Sequence, residues 1–139
     1  MKLKVVVFED QSYILDTISI MLKSRGFEVL GYLEPTLCPL YSDRRCFCPS
    51  EKPCADILIT DNDMPNMTGL EFIRQQLIRG CKGVIRNKAI MSEKWEANEL
   101  ELAASFGCKI FHKPIRTKEL FEWIKECEKR LSQERPNLS

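Results

Sequence analysis

The sequence has no long apolar run and no excess of charge of either sign. No stretch approaches the roughly 20 apolar residues of a membrane-spanning helix, and residues 5–8 are too short for a signal peptide because Glu9 and Asp10 end them. Lysine and arginine number 21 against 20 aspartate and glutamate, so the basic surface typical of proteins that bind nucleic acid or anionic membranes is missing. We predict a cytoplasmic protein with neither a membrane nor a nucleic acid as its direct partner.

Histidine is nearly absent, and the number of cysteines is odd. His112 is the only histidine, and we interpret it as a residue at the edge of the fold rather than as a metal ligand. Seven cysteines in 139 residues do not fit a secreted disulfide scaffold, where cysteines pair off in a smaller chain. The length suits one hydrophobic core. We predict one domain over residues 1–132 and a tail or linker stump over residues 133–139.

The order of apolar patterns predicts strands that alternate with helices. Short continuous apolar runs, typical of strands buried on both faces, occur at residues 3–8 and 57–60, and further strands are predicted from β-rich composition at 27–33 and from shorter apolar stretches at 89–91 and 110–111. Apolar residues at helical spacing predict helices over residues 12–25, 70–80 and 120–131, and composition predicts one over 95–106. Such alternation is typical of βαβ units. The predicted fold is therefore α/β, with a doubly wound, five-stranded parallel sheet and helices on both of its faces.

Residues 34–55 break this alternation. A crossover helix is expected there, but the segment holds four prolines, which disrupt helix interiors. It also holds four of the seven cysteines: Cys38, Cys46, Cys48 and Cys54. We predict that this Cys/Pro-rich segment replaces or disrupts the second helix of the fold.

Polar side chains follow four of the predicted strands. They are Glu9 and Asp10 after the first strand, Asp61 and Asp63 after the third, Ser92 after the fourth, and His112 and Lys113 after the fifth. The carboxyl ends of parallel strands meet at one rim of a sheet, so these groups should converge. Carboxylates that share a pocket repel one another unless a cation holds them, and hard oxygen ligands suit Mg²⁺ together with a phosphate oxygen. A hydroxyl and a lysine would supply a hydrogen-bond donor and a positive charge for that phosphate.

Four motifs occur along the chain in a specific order: KVVVFEDQ, DILITDNDMPNMTGLEF, AIMS and IFHKPI. Each motif is a weak signal by itself, but the ordered set resembles the response-regulator receiver domain, the CheY-like phosphoacceptor of two-component signalling. The resemblance covers nearly the whole chain outside residues 34–55. It implies a flavodoxin-like fold for the domain predicted over residues 1–132.

The resemblance also implies a role for each residue of the rim. Asp61 would accept a phosphoryl group from a sensor histidine kinase or a phosphotransfer protein, and Ser92 and Lys113 would contact that group. The cofactor would be Mg²⁺ or Mn²⁺, held by Glu9 (partly through water), Asp10, Asp61 and the backbone carbonyl of Asp63. The chain would then be a phosphoacceptor regulatory domain rather than an enzyme with a separate substrate. Positioning and charge neutralisation would drive the transfer, and the new charge would switch a surface that binds an output domain or protein.

Three residues depart from the usual receiver pattern. Glu93 follows Ser92 where receivers commonly have a small residue, and Asp63 is acidic at a position that resembles the family's tuning site for phosphoryl lifetime. Ile110 stands where many receivers carry a rotating aromatic residue. We therefore expect a rate of self-dephosphorylation different from that of a receiver with small, neutral residues at these sites.

The cysteines of the Cys/Pro-rich segment allow three interpretations. Their spacing contains a CxC but no CxxC pair, which is a weak signal for a zinc or iron–sulfur site. A disulfide or redox switch and a set of unpaired thiols in an irregular loop are the other two. The three cysteines outside the segment, Cys81, Cys108 and Cys127, are interpreted as small apolar residues of the fold.

Two other functions compete with the receiver hypothesis. Asp61, Asn62 and Asp63 form a D-x-D sequence that resembles the phosphatases of the haloacid dehalogenase family, which also use an aspartyl phosphate. In that family, however, the D-x-D usually follows the first strand and the chain is larger. The second alternative is a receiver-shaped interaction module that is regulated through its cysteine segment.

Overall fold

The computed structural model describes residues 3–33, 55–81 and 83–134. Five parallel strands form one sheet in the order β2-β1-β3-β4-β5. The strands are β1 (Lys4–Phe8), β2 (Glu28–Tyr32), β3 (Ile57–Asp61), β4 (Lys88–Ser92) and β5 (Lys109–His112). The helices of the described residues are α1 (Ser12–Ser24), α2 (Gly69–Ile78), α3 (Ala97–Phe106) and α4 (Thr117–Glu134), with a 3₁₀ turn at Ile85–Asn87 before β4.

This architecture confirms the predicted α/β fold with a five-stranded parallel sheet. The chain passes from β1 outward to β2 and then returns to add β3, β4 and β5 on the other side of β1. The strand order therefore reverses next to β1, and the crevice beyond the carboxyl ends of β1 and β3 is the expected place for a ligand. All of residues 34–54, with the four cysteines of the Cys/Pro-rich segment, lie outside the described residues.

Each strand of the sheet centre buries both of its faces. Val5 and Val7 of β1 belong to the apolar core that α1 and α4 cover, whereas Val6 and Phe8 belong to the core that α2 and α3 cover. Successive side chains of a strand point to opposite faces, so a strand between two layers of helices must be apolar at every position. This is why the continuous valine run at residues 5–7 predicted the strand correctly.

Helices α1 and α4 bury apolar stripes at helical spacing, whereas in α2 Leu70 and Ile73 are buried and Leu77, at the same spacing, is exposed. In α1, Leu15, Ile18 and Leu22 are buried. The stripe of α4 is longer and is buried throughout, at Leu120, Trp123, Ile124, Cys127 and Leu131. The helix continues to Glu134, two residues into the tail predicted for residues 133–139. Within the described ranges, no helix combines the length and the apolar character that crossing a membrane requires.

The start and end of α3 follow from its capping residues. Glu96 and Glu99 form a capping box, in which each side chain accepts a hydrogen bond from the other residue's backbone N–H. The helix therefore begins at Ala97 rather than at the predicted residue 95. It ends at Gly107, whose φ of +88° lies in the left-handed region that favours glycine.

The three cysteines of the described residues occupy different surroundings. Cys127 is fully buried in the core, and burial raises its pKa to about 12. Cys108 is half-buried, and burial raises its pKa to about 11. Both thiols are therefore neutral and behave as the small apolar groups that the sequence predicts. The Cys81 Sγ accepts a hydrogen bond from the Lys88 ammonium group at 3.2 Å and one from the Gly83 amide at 3.4 Å.

Candidate functional site

The carboxyl ends of β1 and β3 bring three carboxylates together at the rim. Glu9 follows β1 and is fully buried, and its amide donates to the carbonyl oxygen of Tyr32, which extends the pairing of β1 with β2. Asp61 is the last residue of β3 and is 1% exposed. Glu9, Asp10 and Asp61 each contribute one carboxylate oxygen to a group whose members all lie within 4.8 Å of one another. Three of the residues predicted to hold a metal are therefore adjacent in space.

One ammonium group lies among these carboxylates. Lys113 follows β5, and its Nζ lies 2.9 Å from Glu9 Oε2 and 3.2 Å from Asp61 Oδ1. Its side chain is 8% exposed, so water does little to screen the two ion pairs. Lys113 thus joins the carboxyl ends of β1, β3 and β5 in one charged cluster.

Burial and mutual repulsion act on the protonation of the cluster. Burial raises the pKa of Glu9 to about 7, and the negative charge of Asp61 adds to this effect while Lys113 opposes it. Burial also raises the pKa of Asp61, as does its hydrogen bond with Asp10, and Lys113 again acts in the opposite direction. For Lys113 itself, burial lowers the pKa, but the hydrogen bond to Glu9 and the attraction of Asp61 and Glu9 outweigh it and raise the pKa.

The cluster has the chemistry of a divalent cation site. Among the described residues, three carboxylates lie around one ammonium group, so negative charge is in excess there. A hard cation with oxygen ligands would remove that excess. Glu9, Asp10 and Asp61 are therefore a group that could hold a metal ion.

Ser92 and Asp63 form a hydrogen-bonded pair beside this cluster. Ser92 ends β4 and is fully buried, and its Oγ donates to Asp63 Oδ2 at 2.9 Å. The Asp63 amide in turn donates to Asp61 Oδ1 at 3.3 Å. One carboxylate oxygen of Asp63 thus accepts the hydrogen bond from Ser92. The predicted role of the Asp63 backbone carbonyl as a metal ligand stays a prediction.

Asn62, between the two aspartates, anchors two helices to the end of β3. It is 1% exposed; its Oδ1 accepts from the Leu70 amide at 3.1 Å, and its Nδ2 donates to Glu99 Oε2 at 2.8 Å. The first bond holds the start of α2, and the second holds the carboxylate that caps α3. The sequence indicates Asn62 only as the middle of a D-x-D. For Glu99, the spacing of three residues from Glu96 is the sequence signal of a capping pair.

Trp95 is a second residue whose role the sequence did not reveal. Its Nε1 donates to the carbonyl oxygen of Phe111 at 3.0 Å, which ties the loop after Ser92 to β5. Ile110, at the position where many receivers carry an aromatic residue, is half-buried and packs against the core under α2 and α3. His112 is exposed at the end of β5, as expected for an edge residue.

Known proteins resemble this chain in structure rather than in sequence. No protein-family model and no curated protein matches the sequence. Among solved structures, a CheY-like receiver domain protein of Methanospirillum hungatei matches with a TM-score of 0.77 and 18% identity, covering 96% of this chain and 99% of that one. The chain has the fold of a response regulator receiver domain. A receiver domain of Clostridium thermocellum matches with a TM-score of 0.71 and 24% identity, over 92% of this chain and 95% of that one.

A third neighbour is a chemotaxis protein. CheY4 of Vibrio cholerae matches with a TM-score of 0.68 and 19% identity, over 91% of this chain and 99% of that one. The chain therefore spans nearly the full length of these three proteins. In this fold, the charged cluster lies at the reversal of strand order where the doubly wound architecture places ligands.

Proposed function

We propose that the chain is a receiver domain that accepts a phosphoryl group on Asp61 from a sensor histidine kinase or a phosphotransfer protein. One observation carries the proposal: Asp61 is buried at the strand-order reversal, within reach of two further carboxylates and 3.2 Å from the Lys113 ammonium group. A carboxylate that is only a loop residue has no need of such surroundings. The domain would belong to a two-component phosphorelay.

The residues around Asp61 suit an in-line phosphoryl transfer. A carboxylate oxygen of Asp61 would form the new bond to phosphorus as the bond to the donor breaks, and the donor group would leave with its electron pair. Lys113, now shared between Glu9 and Asp61, would neutralise a phosphoryl oxygen. Ser92 would donate its hydroxyl proton to another phosphoryl oxygen. Little else is required, because positioning and charge neutralisation account for most of such catalysis.

Mg²⁺ or Mn²⁺ fits the three clustered carboxylates. Glu9, Asp10 and Asp61 would hold it, with the backbone carbonyl of Asp63 as a further ligand. When bound, the cation would supply positive charge for the transferring oxygens. Within the chain, the Lys113 ammonium group would favour the ionised form of the unmodified Asp61.

Phosphorylation would make the domain a regulatory switch rather than an enzyme that turns over a separate substrate. The added charge at Asp61 would attract Ser92, and the loop after it is tied to β5 through Trp95. A shift of this loop would change the surface seen by an output domain or protein. We further propose a cytoplasmic location, where a sensor kinase would meet the chain.

The proposal is tested by intact-mass spectrometry after incubation with Mg²⁺ and acetyl phosphate. We expect the mass of one phosphoryl group per chain, and no such increase in the Asp61→Asn variant. An increase that persists in the variant, or none in the parent chain, would contradict the proposal. The second of these results would favour the interaction module regulated through the cysteine segment.

Phosphatase activity of the haloacid dehalogenase type is separated by a second readout. A phosphatase would release many phosphates per chain from a phosphomonoester such as para-nitrophenyl phosphate, whereas a receiver would retain one phosphoryl group. We expect no sustained turnover.

A further inference from the structure

The hydroxyl group of Ser92 is already committed to other partners in this structure. Its Oγ donates toward Asp63 Oδ2 at 2.9 Å and toward the Lys94 carbonyl oxygen at 3.1 Å, and it accepts from the Lys94 amide at 3.3 Å. A hydroxyl has a single proton to donate. Asp63 and Lys94 therefore share that proton, and the shorter bond is the one to the carboxylate.

A phosphoryl group on Asp61 would need the same proton. Asp63 lies two residues after Asp61, and its amide donates to Asp61 Oδ1 at 3.3 Å. One short turn thus carries both the proposed phosphoryl acceptor and a carboxylate that competes for Ser92. Hydrogen bonds to an ionised acceptor are stronger than neutral ones, so this competition carries a real energetic cost.

The two partners of the Ser92–Asp63 hydrogen bond differ in their exposure to water, and this difference determines how the bond can be exchanged. Ser92 is fully buried, whereas Asp63 is exposed. A buried hydroxyl that loses its acceptor must find another, but an exposed carboxylate is readily hydrated. The pair can therefore exchange in one direction: Ser92 turns to a phosphoryl oxygen, and Asp63 turns to water.

We propose that Asp63 is a positioning residue that holds Ser92 away from the phosphoryl group and so opposes the switched state. The inference rests on the proposed function and adds a restraint to it. In the unphosphorylated chain the Asp63–Ser92 bond, called the latch below, fixes the loop after β4. Phosphorylation must break the latch before Ser92 can move, so the latch reduces the affinity of the site for a phosphoryl group or its analogue.

The test measures binding of beryllofluoride, an analogue of the phosphoryl group on a carboxylate, at saturating Mg²⁺. Tryptophan fluorescence, to which Trp95 contributes from a position three residues after Ser92, follows the titration. Mg²⁺ affinity is measured for each variant so that saturation is assured. We expect Asp63→Ala to bind beryllofluoride about tenfold more tightly than the parent chain, the order of effect of one hydrogen bond to a charged group.

Two controls separate the latch from simple charge repulsion. Glu93→Ala removes an exposed negative charge next to Ser92 but no bond to its hydroxyl, and we expect a gain of about twofold or less, as for an exposed charge. In a Ser92→Ala background the latch is already absent, so adding Asp63→Ala should change the affinity by no more than about twofold. Such non-additivity would show that Asp63 acts through Ser92, a result that a merely structural role of Asp63 would not give.

Three results would overturn the latch while leaving phosphorylation of Asp61 intact. The first is equal affinity of Asp63→Ala and the parent chain for beryllofluoride. The others are a tenfold gain that persists in the Ser92→Ala background and a tenfold gain in Glu93→Ala. If Ser92→Ala fails to fold, the comparison of Asp63→Ala with Glu93→Ala still tests whether the latch, rather than charge repulsion, weakens beryllofluoride binding. Absence of saturable binding in the parent chain overturns the proposed function and the latch together.

Discussion

At the scale of single residues, the described rim of the sheet holds two buried carboxylates, Glu9 and Asp61, beside the more exposed carboxylate of Asp10 and the ammonium group of Lys113. Glu9 is fully buried and Asp61 nearly so, and both depend on Lys113 for neutralisation. Burying a charge is costly unless it is paired, so this arrangement is not one that the fold needs for stability. Its excess of negative charge is understandable if a cation and a phosphoryl group are the ligands of the site.

The raised pKa of Glu9 predicts a pH dependence of Mg²⁺ binding. The pKa is about 7 in the absence of metal, so Glu9 is protonated below that value and ionised above it. A proton and Mg²⁺ compete for the carboxylate, and affinity should therefore fall as the pH drops from 8 to 5.5, by at most about tenfold per pH unit for one competing proton. Isothermal titration calorimetry at the two pH values measures the effect.

A matched variant isolates the contribution of Glu9. Glu9→Gln keeps the size of the side chain and removes its titration, so its Mg²⁺ affinity should be weaker at pH 8 and should vary less with pH. Identical affinities of the parent chain at pH 8 and pH 5.5 would show that Glu9 does not take part.

At the scale of elements, the start of α2 is packed against the backbone of the proposed phosphoacceptor. A Cβ built at Gly69 would lie 2.6 Å from the Asp61 carbonyl oxygen, and the Gly69 amide donates to the Asn62 carbonyl oxygen at 3.2 Å. Neither group can move without shifting the end of β3. The first residue of α2 is thus part of what positions the site.

We predict that Gly69→Ala reduces the free energy of unfolding by roughly 1–3 kcal/mol, the usual cost of inserting atoms into a packed region, and weakens Mg²⁺ binding. Urea denaturation measures the first effect. Gly83→Ala is the control, because its Cβ would meet nothing closer than 3.4 Å. Equal stability of the two variants would contradict the close packing at Gly69.

The elements also show what sequence alone could predict. The five strands and four helices of the described residues lie within a few residues of their predicted positions. The central strands are covered on both faces and need apolar side chains at successive positions, and the helices that cover them need an apolar stripe. The convergence of Glu9, Asp61 and Lys113 followed from parallel strands. The Ser92–Asp63 bond and the links of Asn62 did not, because side-chain partners across 29 and 37 residues depend on rotamers that no periodicity encodes.

At the scale of the whole molecule, two apolar cores lie on either side of the sheet. Cys127 of α4 lies in the core under α1 and α4, fully buried, with its pKa raised to about 12 by burial. The thiolate is the form that reacts with alkylating agents. This cysteine therefore reports the integrity of the fold independently of the site.

We predict that alkylation of Cys127 by iodoacetamide in the native chain is limited by global unfolding. Its rate, followed by peptide mass spectrometry, should rise with urea along the same transition as circular dichroism. Cys81, which is half-buried, serves as the internal comparison and should react well before that transition. Labelling of Cys127 in the native chain at the rate of Cys81 would contradict the packing of α4.

The receiver fold is established for the molecule by its architecture and its structural neighbours, and the central claim concerns the single residue Asp61. The most direct test treats the chain with acetyl phosphate and Mg²⁺, reduces any acyl phosphate with borohydride, and locates the resulting homoserine by peptide sequencing. The account predicts homoserine at position 61 alone, dependent on Mg²⁺. Modification at Asp10 or Asp63 instead, or none at any aspartate, would contradict it.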